Sequence, residues 1–355
     1  MGRVTTSLRT RAAVTAGVAL LTLTTLPATH ATAADEAFDL QAHRGGIGLT
    51  TESTREAFAK ALQLGVTTLE LDTQVTEDDH VVVTHDRQIS ATKCRDTAPV
   101  TPGDPEFPYV GKYITNLTLE QVQTVDCGFR PAPGHPDQEV VEGARMIELW
   151  EVFEVVRQHG ADDVMLNIET KVEAGAPRET APRGRFVRAV ASEIHRSGMS
   201  DQVTVQSFDW GALDLMNAIA PELPLVALTN GQQFLQAGQP GRSRWLGGRD
   251  VDDFGGDWIA AAATIPGLTA VSPVQGDPQG GSIDDPDFVP FTTREVVEAA
   301  HARGLKVIPW TVDDPATMDH FIDLGVDGII TDYPDRLRTV MAENGLPLPP
   351  AYPAP

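Results

Sequence analysis

Four stretches of this chain place ionisable residues within or just after apolar runs. His43-Arg44 follows the run from Phe38, and Glu70-Leu71-Asp72 lies inside Thr68–Val75. His85-Asp86 follows Val81–Thr84, and Glu169-Thr170-Lys171 closes the run from Val164. Glu70 and Asp72 are two residues apart, so on a strand both side chains leave the same face. Paired carboxylates in an apolar strand repel each other and lose hydration, and a hard cation offsets both costs. Glu169, arriving on another strand, adds a third oxygen ligand, and water or substrate can complete a Ca²⁺ or Mg²⁺ shell. Ion pairs to Arg44 or Lys171 are the competing explanation of the same carboxylates.

His43 and His85 end two different runs. Two imidazoles titrating near neutrality can act as general base and general acid around one phosphorus, and His43 is expected as the base and His85 as the acid. Arg44 can hold phosphate oxygens in bidentate fashion, and Lys171 adds a point charge. Trp310, at the end of another run, is a core residue by default; at a strand mouth it can stack on an apolar or glycerol-like group. His135 sits in a Pro-rich stretch, and His159, His195, His301 and His320 fall in helical patterns. The last four are expected at the surface, and none of the five shares the strand-end setting of His43 and His85.

Elements must bring these residues together. Strands are expected at Phe38–His43, Thr68–Val75, Val81–His85, Val164–Lys171, Val203–Phe208, Leu225–Thr229, Thr269–Val274, Lys306–Val312 and Gly328–Thr331, all rich in Val, Ile, Leu and Thr. Helices are expected at Thr54–Leu64, Leu149–His159, Arg183–Ser197, Trp210–Ile219, Thr292–Ala302 and Thr317–Leu324, several of them ending at Gly. This alternation predicts an α/β protein, a (β/α)₈ barrel with a small insertion after an early strand. Its active site would lie at the strands' C-terminal ends. A doubly wound sheet is the alternative, weakened because no Gly-x-Gly-x-x-Gly follows the first strand. Residues 86–145 read as the insertion and 231–256 as an irregular loop. The Pro-rich tail, 345–355, is expected to be extended or disordered. Asn116-Leu117-Thr118 matches a glycosylation sequon, a pattern too short to carry weight.

The 355 residues hold 27 Lys and Arg against 50 Asp and Glu, a net charge of −23. Such acidity argues against nucleic-acid partners and against docking on anionic lipid. It leaves room for an anionic substrate wherever a bound cation reverses the local sign. Arg3, Arg9 and Arg11 precede an apolar stretch to about Leu26 and then a small-residue segment ending at Ala34. That order predicts a cleaved secretory signal over 1–34, a barrel over 35–344, a secreted protein and no membrane segment after cleavage. Cys94 and Cys127 are the only cysteines. In an exported protein the pair is expected to form a disulfide, since two thiols without nearby histidines make a poor metal site.

Taken in order, His43-Arg44-Gly45, Glu70-Leu71-Asp72, His85-Asp86, Asn167-Ile168-Glu169-Thr170-Lys171, Gln206-Ser207-Phe208, Trp310-Thr311-Val312 and Gly325-Val326-Asp327-Gly328-Ile329-Ile330-Thr331-Asp332-Tyr333-Pro334 resemble the glycerophosphodiester phosphodiesterase family. The resemblance implies a barrel that hydrolyses small glycerophosphodiesters to glycerol 3-phosphate and an alcohol. It implies one divalent cation, Ca²⁺ ahead of Mg²⁺, on Glu70, Asp72 and Glu169. Catalysis would fall to His43 and His85, and phosphate contacts to Arg44 and Lys171. The family's Pro-Glu-Asn-Thr reads Thr51-Glu52-Ser53-Thr54 here, and its Trp-Thr-Val-Asn reads Trp310-Thr311-Val312-Asp313. Phospholipase-type or sphingomyelinase D-like barrels, a barrel that binds ligand without turnover and an acid-base glycosidase are the other readings of such a site.

Overall fold

The computed structural model describes residues 1–4 and 37–354. The expected export signal thus falls almost wholly outside the described residues. Among the described residues there are eleven strands: β1 (Asp39–Ala42), β2 (Thr68–Val75), β3 (Val81–Val83), β4 (Met165–Thr170), β5 (Val203–Ser207), β6 (Leu225–Thr229), β7 (Leu268–Pro273), β8 (Gly276–Asp277), β9 (Val289–Pro290), β10 (Lys306–Val307) and β11 (Gly328–Thr331). Ten helices accompany them: α1 (Arg55–Leu64), α2 (Leu119–Val122), α3 (Leu149–Gln158), α4 (Arg183–Ser197), α5 (Trp210–Ile219), α6 (Gln232–Leu235), α7 (Trp258–Ala262), α8 (Arg294–His301), α9 (Pro315–Leu324) and α10 (Pro334–Glu343).

Eight strands pair side by side in the order β10-β7-β6-β5-β4-β2-β1-β11, every ladder among them parallel. The two ends of that row are joined by backbone hydrogen bonds from Asp327 to Val307, Ile330 to Pro309 and Val312 to Ile330. The result is a nearly closed (β/α)₈ barrel. Pro309 has no N–H to give a ladder, so β10 stops at Val307 rather than running to Val312 as expected. The run expected as a strand at Val81–His85 is not a barrel stave: β3 folds back antiparallel on β2.

Local signals set the helix boundaries. Thr54 caps α1 by accepting a hydrogen bond from the Ala57 N–H at 3.0 Å, and Asp314 caps α9 with Pro315 at its first position. The buried faces of these helices pack on the outside of the staves and form one large core. Inside the barrel, Val226, Ala270, Ile308 and Ile330 form a small apolar cluster under Trp310. The rest of the interior is polar. Asn167 Nδ2 donates to Gln41 Oε1 and Gln206 Oε1, both at 2.9 Å, and Thr204 Oγ1 donates to Asn167 Oδ1 at 3.0 Å.

Residues 86–145 stand outside the barrel as expected, around a second core of Ile89, Tyr109, Ile114, Leu117, Val122 and Val125. Cys94 is bonded to Cys127 beside that core. The 231–256 segment is more ordered than expected, holding α6 and the short turns Arg244–Leu246 and Val251–Phe254. The tail has no regular structure, yet it is docked. The Tyr352 N–H donates to Leu62 O at 2.8 Å, and Arg338 Nη1 donates to Pro349 O at 2.9 Å. Among the described residues no helix is long and apolar enough to cross a membrane.

Candidate active site

β2 and β4 lie in register with Asp72 opposite Glu169. The alternation of the strand then turns Glu70, Asp72 and Glu169 toward one point, where their oxygens lie within 4.8 Å of one another. All three are buried. Glu70 Oε1 accepts from Gln206 Nε2 at 2.7 Å, and Glu70 Oε2 accepts from the Arg44 N–H at 2.9 Å. Lys171 Nζ lies 3.3 Å from Asp72 Oδ1 and 3.2 Å from Glu169 Oε1. Both expectations for these carboxylates therefore hold in part, since they cluster and they are also paired.

Pairing does not complete the cluster. Three carboxylates face two cations, Arg44 and Lys171, and Arg44 is shared with Glu52. Asp72 Oδ2 is buried without a hydrogen bond, although Arg44 Nε lies 3.1 Å away. Burial and Asp72 push Glu70 up to about 7, and burial pushes Glu169 up to about 8 against the pull of Lys171. Asp72 stays well below its ordinary value: burial works against this, and Lys171, His85 and Arg44 outweigh it. An all-oxygen set with an orphaned buried lone pair and two carboxylates reluctant to ionise suits a hard divalent cation.

The two expected histidines flank this cluster. His43 opens a tight turn, His43–Gly45, in which Arg44 itself is left-handed at φ 53°. Gly45, at φ +81°, passes so close to α1 that a Cβ would lie 2.8 Å from that of Ala57. The turn aims the Arg44 guanidinium back over the carboxylates, with Nη1 2.9 Å from Glu52 Oε2. His43 Nδ1 lies 2.5 Å from Asp332 Oδ1, and His85 Nδ1 lies 2.8 Å from Asp86 Oδ1. Each ring is therefore oriented by a carboxylate, leaving Nε2 for chemistry.

Their electrostatic settings differ. Burial and Arg44 oppose protonation of His43, but the charge and hydrogen bond of Asp332, with Glu70, outweigh them and raise its pKa. Burial, then Arg44 and Lys171, push His85 down to about 4 despite Asp72 and Asp86.

Around the cluster is a pocket of about 230 Å³ lined by both histidines, Arg44, Lys171 and Trp310. It opens into a cleft of about 690 Å³ with an aromatic wall. Trp310 meets Phe208 edge to face, Phe208 meets Phe234 the same way, and Phe234 stacks on Trp245 at 4.1 Å. Trp310 Nε1 donates to Ser272 O at 3.0 Å, which fixes its ring at the strand mouth. Phe234 and Trp245 come from the 231–256 segment, which carried no recognisable chemistry in sequence.

His135, set apart in sequence from the strand-end histidines, lies close behind one of them. It is a largely buried residue whose Nε2 lies 3.3 Å from Asp332 Oδ2, behind His43. Asp332 and Lys93 also escaped the sequence reading as site residues. Asp332 was in view within Thr331-Asp332-Tyr333-Pro334, at the end of a strand, but nothing near it in sequence indicated a partner 289 positions away.

A family model, "Glycerophosphoryl diester phosphodiesterase family", matches residues 43–336. The chain belongs to the glycerophosphoryl diester phosphodiesterase family. The match begins at His43 and extends past Asp332, so every site residue named above lies inside it. A glycerophosphodiester phosphodiesterase of Caldanaerobacter subterraneus subsp. tengcongensis is 28% identical over 306 residues, covering 86% of this chain and 98% of the relative. Among solved structures, a Silicibacter pomeroyi protein assigned to this family is 27% identical with a TM-score of 0.70, covering 87% and 95% of the two chains. A phosphodiesterase of Oleispira antarctica, solved in complex with the product sn-glycerol-3-phosphate, shares the fold at 20% identity and TM-score 0.60, covering 86% and 97%.

Proposed function

We propose that this glycerophosphodiester phosphodiesterase works with one divalent cation and two histidines on an exported chain. The observation that carries the reading is the buried cluster of Glu70, Asp72 and Glu169 lying between His43 and His85. These carboxylates would hold the cation, Ca²⁺ ahead of Mg²⁺. When bound, it supplies charge neutralisation at a phosphoryl oxygen.

Arg44 and Lys171 grip the remaining phosphate oxygens. The glycerol side lies against Trp310, and the alcohol side extends into the wider aromatic cleft. The settings of the two rings favour the reverse of the expected division of labour. His85, held neutral, takes the proton of the nucleophile, which is water, or the substrate's own neighbouring hydroxyl with a cyclic phosphate that water then opens. His43, whose pKa Asp332 raises, gives its proton to the departing alkoxide. Glycerol 3-phosphate as product is supported by the family and by the product bound to the Oleispira protein. Export is supported by the basic-apolar-small order of residues 1–34 and by the Cys94–Cys127 bridge.

The test is release of glycerol 3-phosphate from the choline, ethanolamine, inositol and glycerol diesters, with metal and with chelator. Metal-dependent release from at least one diester is expected; equal release in chelator overturns the metal part. N-terminal sequencing of protein recovered from the medium tests export, and an intact Met1 there overturns signal cleavage.

A further inference from the structure

The barrel supplies both histidines, and the barrel alone does not hold them. Each leans on a carboxylate, and each carboxylate is in turn held by a residue of the insertion. Lys93 Nζ lies 2.8 Å from Asp86 Oδ2, on the far side of the carboxylate that orients His85. His135 Nε2 lies 3.3 Å from Asp332 Oδ2, on the far side of the carboxylate that orients His43.

We infer that Lys93 and His135 are positioning residues, through which the insertion sets the orientation of the two catalytic histidines. The inference rests on the two-histidine reading given above.

Three observations support it. First, neither residue reaches the mouth by chance of a loose loop. Lys93 adjoins Cys94, whose bridge to Cys127 ties it to the insertion's own core. The His135 segment is sewn to the barrel: Gln138 Nε2 donates to Ile47 O at 2.6 Å, and backbone bonds link Glu139 with Leu49 and Thr51. Second, both side chains are well covered and both are fully engaged. Lys93 also meets Glu52 Oε1 at 2.8 Å, and His135 Nδ1 lies 3.2 Å from the Tyr333 hydroxyl. Third, the two braces are equivalent in form. In each, a cation or ring N–H from the insertion meets one carboxylate oxygen while the histidine's Nδ1 takes the other. A carboxylate held at both oxygens cannot swing, so the imidazole it orients keeps one tautomer and one direction.

The decisive experiment is a double-mutant cycle on kcat. Lys93→Met and His135→Leu should each lower kcat about 10- to 100-fold, the usual cost of removing an outer partner of a site residue. KM should change less than about twofold. In a His85→Ala background Lys93→Met should cost nothing further, and in a His43→Ala background neither should His135→Leu, because each acts through the histidine already lost. A merely structural effect would multiply instead. Lys93→Arg and His135→Gln, which keep a donor in place, should restore most of the rate. If Lys93→Met or His135→Leu folds poorly by circular dichroism, Lys93→Ala and His135→Ala, which also lack a donor, carry the same cycle. Wild-type kcat in the single variants, or an equal loss in the histidine-free backgrounds, overturns the inference. If His43→Ala and His85→Ala themselves turn over normally, the two-histidine reading has failed and this inference falls with it.

Discussion

The interior of the barrel has two levels that solve one problem in opposite ways. At the lower level Gln41, Asn167 and Gln206 are buried and Thr204 half-buried, all uncharged and joined by hydrogen bonds. At the upper level Glu70, Asp72 and Glu169 are buried, charged and crowded, and Asp72 Oδ2 lacks a hydrogen bond altogether. Gln206 links the levels by donating to Glu70. Closely spaced carboxylates without enough partners destabilise a fold, whereas a satisfied amide network costs little. The lower level therefore reads as scaffold, and the upper as a site kept at the expense of stability.

The sharpest way to break this contrast is to take away the cation. Chelation should reduce diester hydrolysis to background, with Ca²⁺ or Mg²⁺ restoring it; a released-phosphate-ester assay decides, and full turnover after exhaustive stripping contradicts the assignment. Next in size are the histidines. His43→Ala and His85→Ala should each lower kcat about 10²–10⁴-fold, the range for a general acid or base. His43→Ala should spare an activated nitrophenyl diester, whose leaving group departs unprotonated, relative to glycerophosphocholine. His85→Ala should slow both alike. The opposite pattern would restore His43 as the base.

Two smaller effects concern stability. Asn167→Leu would strand the oxygens of Gln41 and Gln206, and should cost about 1–3 kcal/mol in denaturant unfolding, with the site's chemistry left in place. A neutral result would show that the lower level is no scaffold. In metal-free protein, Glu70 and Glu169 titrate near 7 and 8 when folded and lower when unfolded. Between about pH 5 and pH 8 the unfolded chain has released protons that the folded chain still holds, so stability should fall as pH rises. Saturating Ca²⁺ should flatten that slope. Thermal melts across the pH range with chelator and with Ca²⁺ provide the check, and parallel curves would contradict the linkage.

Legibility in the sequence followed the same division. Glu70, Asp72 and Glu169 were visible because a strand's alternation fixes which way its side chains face, and parallel staves share one mouth. His43 was visible for the second reason, and His85 because it closes the apolar run of β3, although β3 is no stave. Lys93 and His135 were not, because the insertion has no periodicity from which to read a direction. Their roles arise only when its small core and its backbone bonds to the 47–51 loop dock it on the mouth. The tail was half legible: its prolines suggested an extended or disordered segment, and it is irregular, but nothing in its composition showed that Tyr352 docks on a carbonyl at the end of α1. The aromatic wall was half visible, since Phe208 and Trp310 end strands, while Phe234 and Trp245 lie in a segment with no repeating pattern.

One feature of the barrel bears on how the molecule is made. β11, among the last elements of the chain, fills the gap beside β1, the first: Asp39 pairs with Gly328 and Ala42 with Thr331. Before residue 328 has joined, β1 has a bare edge capable of pairing with another chain, and contacts of such long sequence separation form slowly. The residue after β11, Asp332, is also the partner of His43. Ring closure and completion of the reactive pair are thus a single event near the end of folding. A nascent or truncated chain keeps that bare edge, and lacks the carboxylate that orients His43, until that moment.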